Sequence, residues 1–287
     1  MTRGFIGLRG SRLWSETYRS GVRVTGVVDD LALAHDLADA ADAITTARFR
    51  AFDLRVDAKP DLTPVTDADR RTEERLREIL AEVRPDDAVH GEEFADTGSA
   101  ARRWVIDPID GTKNFVRGVP VWASLIALMD GESVVAAVVS APALGRRWWA
   151  CAGRGAWAGP VRTAGTPCRV SAVADLADAS LSYSSLSGWA DRGLLDGFLD
   201  LTRACWRTRA YGDFWSYMLL AEGTVDVATE PEVALHDLAA VALIVTEAGG
   251  TFTDIAGRPG PAGGSALASN GLLHEAALKF VKAGPGS

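Results

Sequence analysis

The run W-V-I-D-P-I-D-G-T, Trp104 to Thr112, is the most informative stretch of this chain. Its opening residues are aromatic and β-branched, the composition of a buried strand, and the strand is expected to end at Asp107. Pro108 then fixes the backbone, Asp110 follows Asp107 by three residues, and Gly111 permits a sharp turn. Two carboxylates on a rigid strand-to-turn corner can share hard cations, because Mg²⁺ takes oxygen ligands at about 2.0 to 2.1 Å and leaves positions open for water and phosphate. The same residue types also compose ordinary turns, so D-P-x-D-G by itself leaves both readings open.

Outward from this corner the chain changes texture. From Arg103 the runs R-W-V-I-D, W-A-S-L-I-A-L-M, S-V-V-A-A-V-V-S and R-W-W-A-C read as short strands punctuated by Pro, Gly or Asp-Gly. Upstream, the capping pair Asp29-Asp30 precedes apolar positions at Ala34, Leu37, Ala38, Ala41 and Ile44, the spacing of an amphipathic helix. A polar loop, K-P-D-L-T-P-V-T-D, occupies Lys59 to Asp67. Thr66 and Asp69 then form a capping box for a second helix with a stripe at Leu76, Ile79, Leu80 and Val83. Beyond Pro160, strand candidates at Ser180 to Ser185, Cys205 to Ala210, Val225 to Ala228, Gly250 to Thr253 and Ser265 to Ala268 alternate with helical stretches. Those lie around Leu194 and at Phe214 to Ala221, Leu238 to Glu247 and Leu272 to Val281. The order predicts a layered α/β (α+β) fold in two subdomains, about 29–165 and 166–287.

The chain has 287 residues, 30 Lys and Arg against 38 Asp and Glu, and a net charge of −8. An acidic protein does not concentrate polyanions by its overall field, so neither nucleic acid nor an anionic membrane is expected as a partner. A phosphate substrate would need positive charge from a few local groups or a bound cation. Cys151, Cys168 and Cys205 are odd in number and lack any C-x-x-C, reading as reduced cytoplasmic thiols. No apolar run is long enough for a membrane span. Residues 1–28 carry Arg3, Arg9, Arg12, Arg19 and Arg23 against Glu16 alone, and are expected to be a disordered basic extension.

Three further acidic sites bear on the Asp107–Asp110 corner. H-G-E-E-F sets Glu92 after a glycine, in a loop. Asp67 lies at a helix start, where it could equally serve the helix dipole. L-H-D-L-A-A sets Asp237 at the start of an apolar helix, where it could equally be a cap. None has a Lys or Arg beside it in sequence.

The order K-P-D-L-T-P-V-T-D-A-D, G-E-E, W-V-I-D-P-I-D-G-T-K-N-F, E-P-E-V-A-L-H-D-L-A-A and V-T-E-A-G-G resembles the inositol monophosphatase family of Mg²⁺-dependent phosphatases, over residues 30 to about 280. Within it, D-P-I-D-G-T-K-N-F-V-R-G-V-P-V-W-A-S-L-I-A-L and R-A-Y-G-D-F-W-S-Y look most like histidinol-phosphate phosphatases of actinobacterial type. The resemblance implies an αβαβα sandwich of the inositol monophosphatase and sugar phosphatase type, and a homodimer. It implies one Mg²⁺ on Glu92, Asp107 and the Ile109 carbonyl, a second on Asp107, Asp110 and Asp237, and a weaker third. It also implies a water-orienting pair, Thr112 with Asp67, assisted by Glu92, and phosphate contacts from the Gly111 and Thr112 N–H groups. Such a two-metal site needs no covalent nucleophile.

The resemblance assigns substrate contact to Glu230, Asp237 and the R-A-Y-G-D-F segment. Asp213 stands where inositol phosphatases tend to carry small uncharged residues. A second pocket carboxylate costs desolvation unless it meets a cation, which L-histidinol phosphate offers and inositol does not; Asp213 could equally cap the following helix. A broader cyclitol or sugar phosphatase, or a non-catalytic binding relative, would share the metal motif. Other motifs give nothing: G-R-G-A-W-A-G at Gly153 to Gly159 reads as a hairpin turn, there is no P-loop or G-x-S-x-G, and His35, His90, His236 and His274 share no metal-binding spacing.

Overall fold

The computed structural model describes residues 27–60 and 62–282. The expected basic extension therefore lies, up to residue 26, outside the described residues. Helix α1 (Val27–Arg48) carries Asp29 and Asp30 in its first turn and buries Ala34, Leu37, Ala38 and Ala41 of the expected stripe, with Leu33 added and Ile44 only half-buried. The segment expected as loop is in part a hairpin, β1 (Val56–Ala58) antiparallel to β2 (Pro64–Thr66), closed by Lys59 N donating to Thr63 O at 2.8 Å. β1 is exposed at all three positions, so no alternation of polarity marks it. Helix α2 (Asp67–Val83) starts on the expected capping box: Thr66 Oγ1 accepts from Ala68 N and Asp69 N, and Asp69 Oδ2 accepts Thr66 N at 2.7 Å.

The central sheet runs β3 (Ala88–Gly91), β4 (Arg102–Asp110), β5 (Ala123–Asp130), β6 (Ser133–Ala141), β7 (Arg146–Cys151), β8 (Ala156–Gly159), β9 (Thr166–Pro167) in spatial order, with helix α3 (Thr112–Arg117) between β4 and β5. Only β3 and β4 are parallel; the other neighbours are antiparallel, and G-R-G-A-W-A-G supplies the β7–β8 turn as expected. The second sheet contains β10 (Ser180–Ser182), β11 (Arg207–Arg209), β12 (Val227–Glu230), β13 (Thr251–Thr253) and β14 (Ala266–Ser269), in the order β11-β10-β12-β14-β13. Around it lie α4 (Ser187–Asp191), α5 (Leu195–Ala204), α6 (Asp213–Ala221), α7 (Leu235–Glu247) and α8 (His274–Lys282).

Burial orders these elements into five layers. Trp104, Ile106, Ile126, Leu128 and Val138 face α1 and α2 in one core, while Val105, Leu125, Ala127 and Val139, one residue out of phase, face α6 and α7 in another. That second core continues into Ala228, Phe252, Ala266 and Ala268 of the second sheet, whose opposite face (Leu181, Val227, Leu267) packs on α5 and α8. The result is an αβαβα sandwich. Helix α7 lies in its middle layer and is apolar around its whole circumference, with Leu238 to Val245 all buried.

One local irregularity in β4 positions the chemistry. The strand does not end at Asp107 but continues through Pro108 to Asp110. Asp107 pairs with Leu125 and Asp110 with Ala123, so three steps on β4 oppose two on β5. In a regular strand, side chains three residues apart point to opposite faces; the extra residue of the bulge returns both to one side. Proline is tolerated at such a site because the ladder is already broken there. The Pro108 carbonyl is satisfied instead by the Ser124 hydroxyl at 2.7 Å.

Candidate active site

Asp107 and Asp110, on the β4 bulge, meet Asp237, in the first turn of α7, with one carboxylate oxygen from each within 4.8 Å of the other two. Asp107 is buried and its Oδ1 accepts Ile109 N at 3.0 Å; Asp110 Oδ2 accepts Phe214 N at 2.5 Å. Asp237 accepts Ala234 N at 3.0 Å through Oδ2, so it does tie the helix start, and its Oδ1 lies 3.8 Å from His236 Nε2. Among the described residues no Lys or Arg pairs with any of the three. Burial first, then Glu92, Asp110 and Asp237, push the Asp107 carboxyl well above its ordinary range. Burial, Asp213 and Asp237 do the same to Asp110, and burial raises Asp237 against the opposing His236. Mutually repelling buried carboxylates of this kind are relieved by protons or by a hard cation, and an all-oxygen donor set suits Mg²⁺.

Glu92 follows β3, the parallel neighbour of β4, and hydrogen-bonds the Asp107 side chain. The sequence placed no cation beside it, but Lys59, on the hairpin turn, bonds Glu92 Oε1 at 2.6 Å and Glu93 Oε1 at 2.8 Å. The glycine of G-E-E has a packing reason: a Cβ on Gly91 would lie 2.0 Å from Glu73 Oε1. Glu73 is fully buried and in turn accepts Glu93 N at 2.8 Å and Arg77 Nε at 2.7 Å. Burial pushes Glu93 up to about 7.

The expected pairing of Thr112 with Asp67 is not found. Asp67 is the first residue of α2 and turns back to Arg48 Nη2 at 3.2 Å, with Arg71 at 3.5 Å. Thr112 Oγ1 instead lies 3.4 Å from Asp69 Oδ1 and 3.0 Å from the Ile109 carbonyl. The reason is helical rotation: residues two apart on a helix face different directions, so only one of Asp67 and Asp69 can point at the β4 corner. Burial raises Asp69 to about 6. In the sequence Asp69 closes the K-P-D-L-T-P-V-T-D-A-D run and reads as half of the capping box, and a cap oxygen that also faces a neighbouring loop looks identical there.

Gly111 takes φ +83°, a left-handed conformation costly for any other residue, and opens α3 with Thr112 next to it. Beyond the carboxylate cluster extends a cavity of about 330 Å³, whose wall includes Asp110, Asp191, Asp213, Glu230, Glu232 and Asp237, with no Lys or Arg among the lining residues. Glu230, at the end of β12, is buried; it accepts from Tyr217 Oη at 3.2 Å and from the Ser184 hydroxyl, and burial with Asp213 and Asp237 pushes it up to about 8. Asp213 does not cap its helix. It is the first helical residue after Gly212, at φ +49°, and its Oδ2 accepts Asn114 Nδ2 at 3.1 Å. Burial and Asp237 raise it to about 6, opposed by Lys113. Asn114 and Tyr217 fall within the quoted motifs and Ser184 within a strand candidate, but the sequence assigns none of them a role, because isolated polar residues carry no spacing signal.

The inositol monophosphatase family model matches residues 28–283. A histidinol-phosphatase from Streptomyces coelicolor is 62% identical over 258 residues, covering 88% of this chain and 97% of that relative. One from Mycobacterium tuberculosis is 58% identical over 257 residues, covering 89% and 99%. Among solved structures, an inositol monophosphatase from Zymomonas mobilis superposes with a TM-score of 0.79 at 32% identity, covering 90% of this chain and all of that one.

Proposed function

The chain belongs to the inositol monophosphatase family, and from that premise we propose that it is a Mg²⁺-dependent phosphoric monoester hydrolase acting on L-histidinol phosphate. The products are L-histidinol and phosphate, a step of histidine biosynthesis, and the relatives at 62% and 58% identity carry the name of that activity. The observation that carries the substrate is the cavity wall: six carboxylates and no Lys or Arg. Two of the six, Asp110 and Asp237, belong to the metal cluster, leaving Asp213 and Glu230 nearest to it, hydrogen-bonded to Asn114, Ser184 and Tyr217, with Lys113 acting on Asp213 only from beyond ion-pair distance. An amine or imidazolium on the alcohol side of the ester supplies that charge, whereas inositol or another cyclitol offers only hydroxyls and leaves buried carboxylates uncompensated.

Glu92, Asp107 and the Ile109 carbonyl would hold one Mg²⁺ and Asp107, Asp110 and Asp237 a second, with a weaker third near Glu92. When bound, such ions supply a water acidified into a nucleophile and positive charge at the leaving oxygen. The chain's own groups do the rest. The Gly111 and Thr112 N–H groups hold phosphate oxygens. Thr112 and Asp69, 3.4 Å apart, orient the attacking water and take its proton. Asp213 and Glu230 hold the cationic alcohol, so that the scissile ester presents its phosphorus to the cluster. Two subdomains, about 29–165 and 166–287, frame this site. A homodimer and a cytoplasmic setting go with the same reading; no described helix is long and apolar enough to cross a membrane.

The test is phosphate release with Mg²⁺ from L-histidinol phosphate, inositol 1-phosphate and glycerol 2-phosphate. A kcat/KM for the first at least tenfold above the others is expected. Equal rates on all three would sink the substrate assignment, and Mg²⁺-dependent binding without turnover in calorimetry would replace the enzyme with a binding protein.

A further inference from the structure

We propose that Asn114 is a positioning residue that fixes the Asp213 carboxylate as the cation-facing wall of the cavity, acting from behind the phosphate loop. This rests on the reading of the cavity as a site for a cationic alcohol phosphate. Asn114 lies two residues beyond Thr112 on α3 and is not among the cavity's lining residues. Its Nδ2 donates to Asp213 Oδ2 at 3.1 Å and to the Val121 carbonyl at 2.9 Å. Both partners are acceptors, so the amide group must present its NH₂ to them.

Three tethers converge on this point of α6 from three elements. Asn114 holds the Asp213 side chain, Ser184 Oγ accepts the Asp213 N–H at 3.2 Å, and Asp110 accepts the next N–H, that of Phe214. Together they keep Asp213 at φ +49°, a conformation that an aspartate at a helix start has no local reason to adopt. A strained backbone persists only where its surroundings over-determine it. Gly111 makes room for the arrangement: a Cβ there would lie 3.3 Å from Asp213 Oδ2 and 3.0 Å from Val121 O.

The chemistry of the tether matters as much as its geometry. A Lys or Arg in place of Asn114 would orient Asp213 but cancel its charge. A neutral amide directs the carboxylate through a hydrogen bond and leaves its full negative charge for the ligand. Asn114 therefore couples the loop that holds phosphate to the group that selects the alcohol, without touching the substrate.

The experiment is steady-state kinetics of Asn114→Ala, Asp213→Asn and the double variant, with Mg²⁺, on L-histidinol phosphate and on glycerol 2-phosphate. Asn114→Ala is expected to raise KM for L-histidinol phosphate about tenfold, leaving kcat and both glycerol 2-phosphate parameters within about twofold. In the Asp213→Asn background, Asn114→Ala is expected to add nothing. Should truncation to alanine prevent folding, Asn114→Leu keeps the side-chain volume without any donor and carries the same expectations. A loss shared by both esters, or one additive with Asp213→Asn, overturns the positioning role while leaving the substrate assignment intact. A wild-type enzyme with no preference for L-histidinol phosphate overturns both.

Discussion

Replacing Asp213 by Asn removes one charge and almost no volume, so it isolates the electrostatic part of substrate selection. A unit charge pair at about 4 Å is worth roughly 4 kcal/mol at the effective dielectric of a partly buried site. Asp213 keeps some solvent contact and Glu230 remains nearby, so a loss of about 1.5 to 3 kcal/mol is the better expectation, matching hydrogen bonds to charged groups. That corresponds to a roughly 10- to 100-fold fall in kcat/KM for L-histidinol phosphate, carried mainly by KM. Phosphate release measured with Mg²⁺ at one pH near neutrality, with glycerol 2-phosphate as the neutral comparison, reads it. The loss on glycerol 2-phosphate should be at least fivefold smaller; equal losses on the two esters would refute the charge argument.

Other perturbations test the remaining parts. Asp110→Asn should lower kcat by at least about a thousandfold with unchanged far-ultraviolet circular dichroism, since a ligand of the second cation is lost; retained activity would mean the carboxylate cluster is not the metal site. Asp69→Asn should reduce kcat at least about tenfold and Asp67→Asn less than about threefold, and the reverse order would restore the pairing that helix geometry argues against. Glu230, Asp213 and Asp69 have folded-state pKa values raised above the unfolded ones, to about 8, 6 and 6. The stabilisation they give through retained protons is complete below about pH 4 and is lost as pH rises through those values. Mg²⁺ competes with protons at its own carboxylates, Asp107, Asp110 and Asp237, which burial also raises, so its increment in Tm, read by scanning fluorimetry, should be larger near pH 8.5 than near pH 5.5; an equal increment would count against this competition. Trp189 is fully buried and stacks on Phe198 at 4.5 Å between ring centroids. Trp189→Ala should cost about 3 to 5 kcal/mol in urea unfolding, and a loss below about 1 kcal/mol would show that the α4–α5 core is not close-packed.

Much of the architecture was legible because periodic patterns report burial directly. The α1 stripe at Ala34, Leu37, Ala38 and Ala41, the apolar strand runs after Arg103 and the Thr66–Asp69 capping box each fall where the sequence puts them. The β1–β2 hairpin escaped because three exposed positions and a leading proline carry no period. The strand containing Asp107 was read as too short because proline usually interrupts a strand; a bulge is the exception that accommodates it.

For the site, the residue types and their order suffice to show the family and to mark out carboxylates suited to a hard cation. Local rules reach that far because strands, turns and caps are set by neighbours within a few residues. Which carboxylates meet, and how their charge is shifted, depends on how the layers pack. The β4 bulge turned Asp107 and Asp110 to one side, helical rotation chose Asp69 over Asp67, Lys59 crossed over to Glu92, and Asn114 and Ser184 bent Asp213 into the cavity. Each of these is a contact between residues distant in sequence, and its energy depends on a distance and a burial that exist only once the layers have packed.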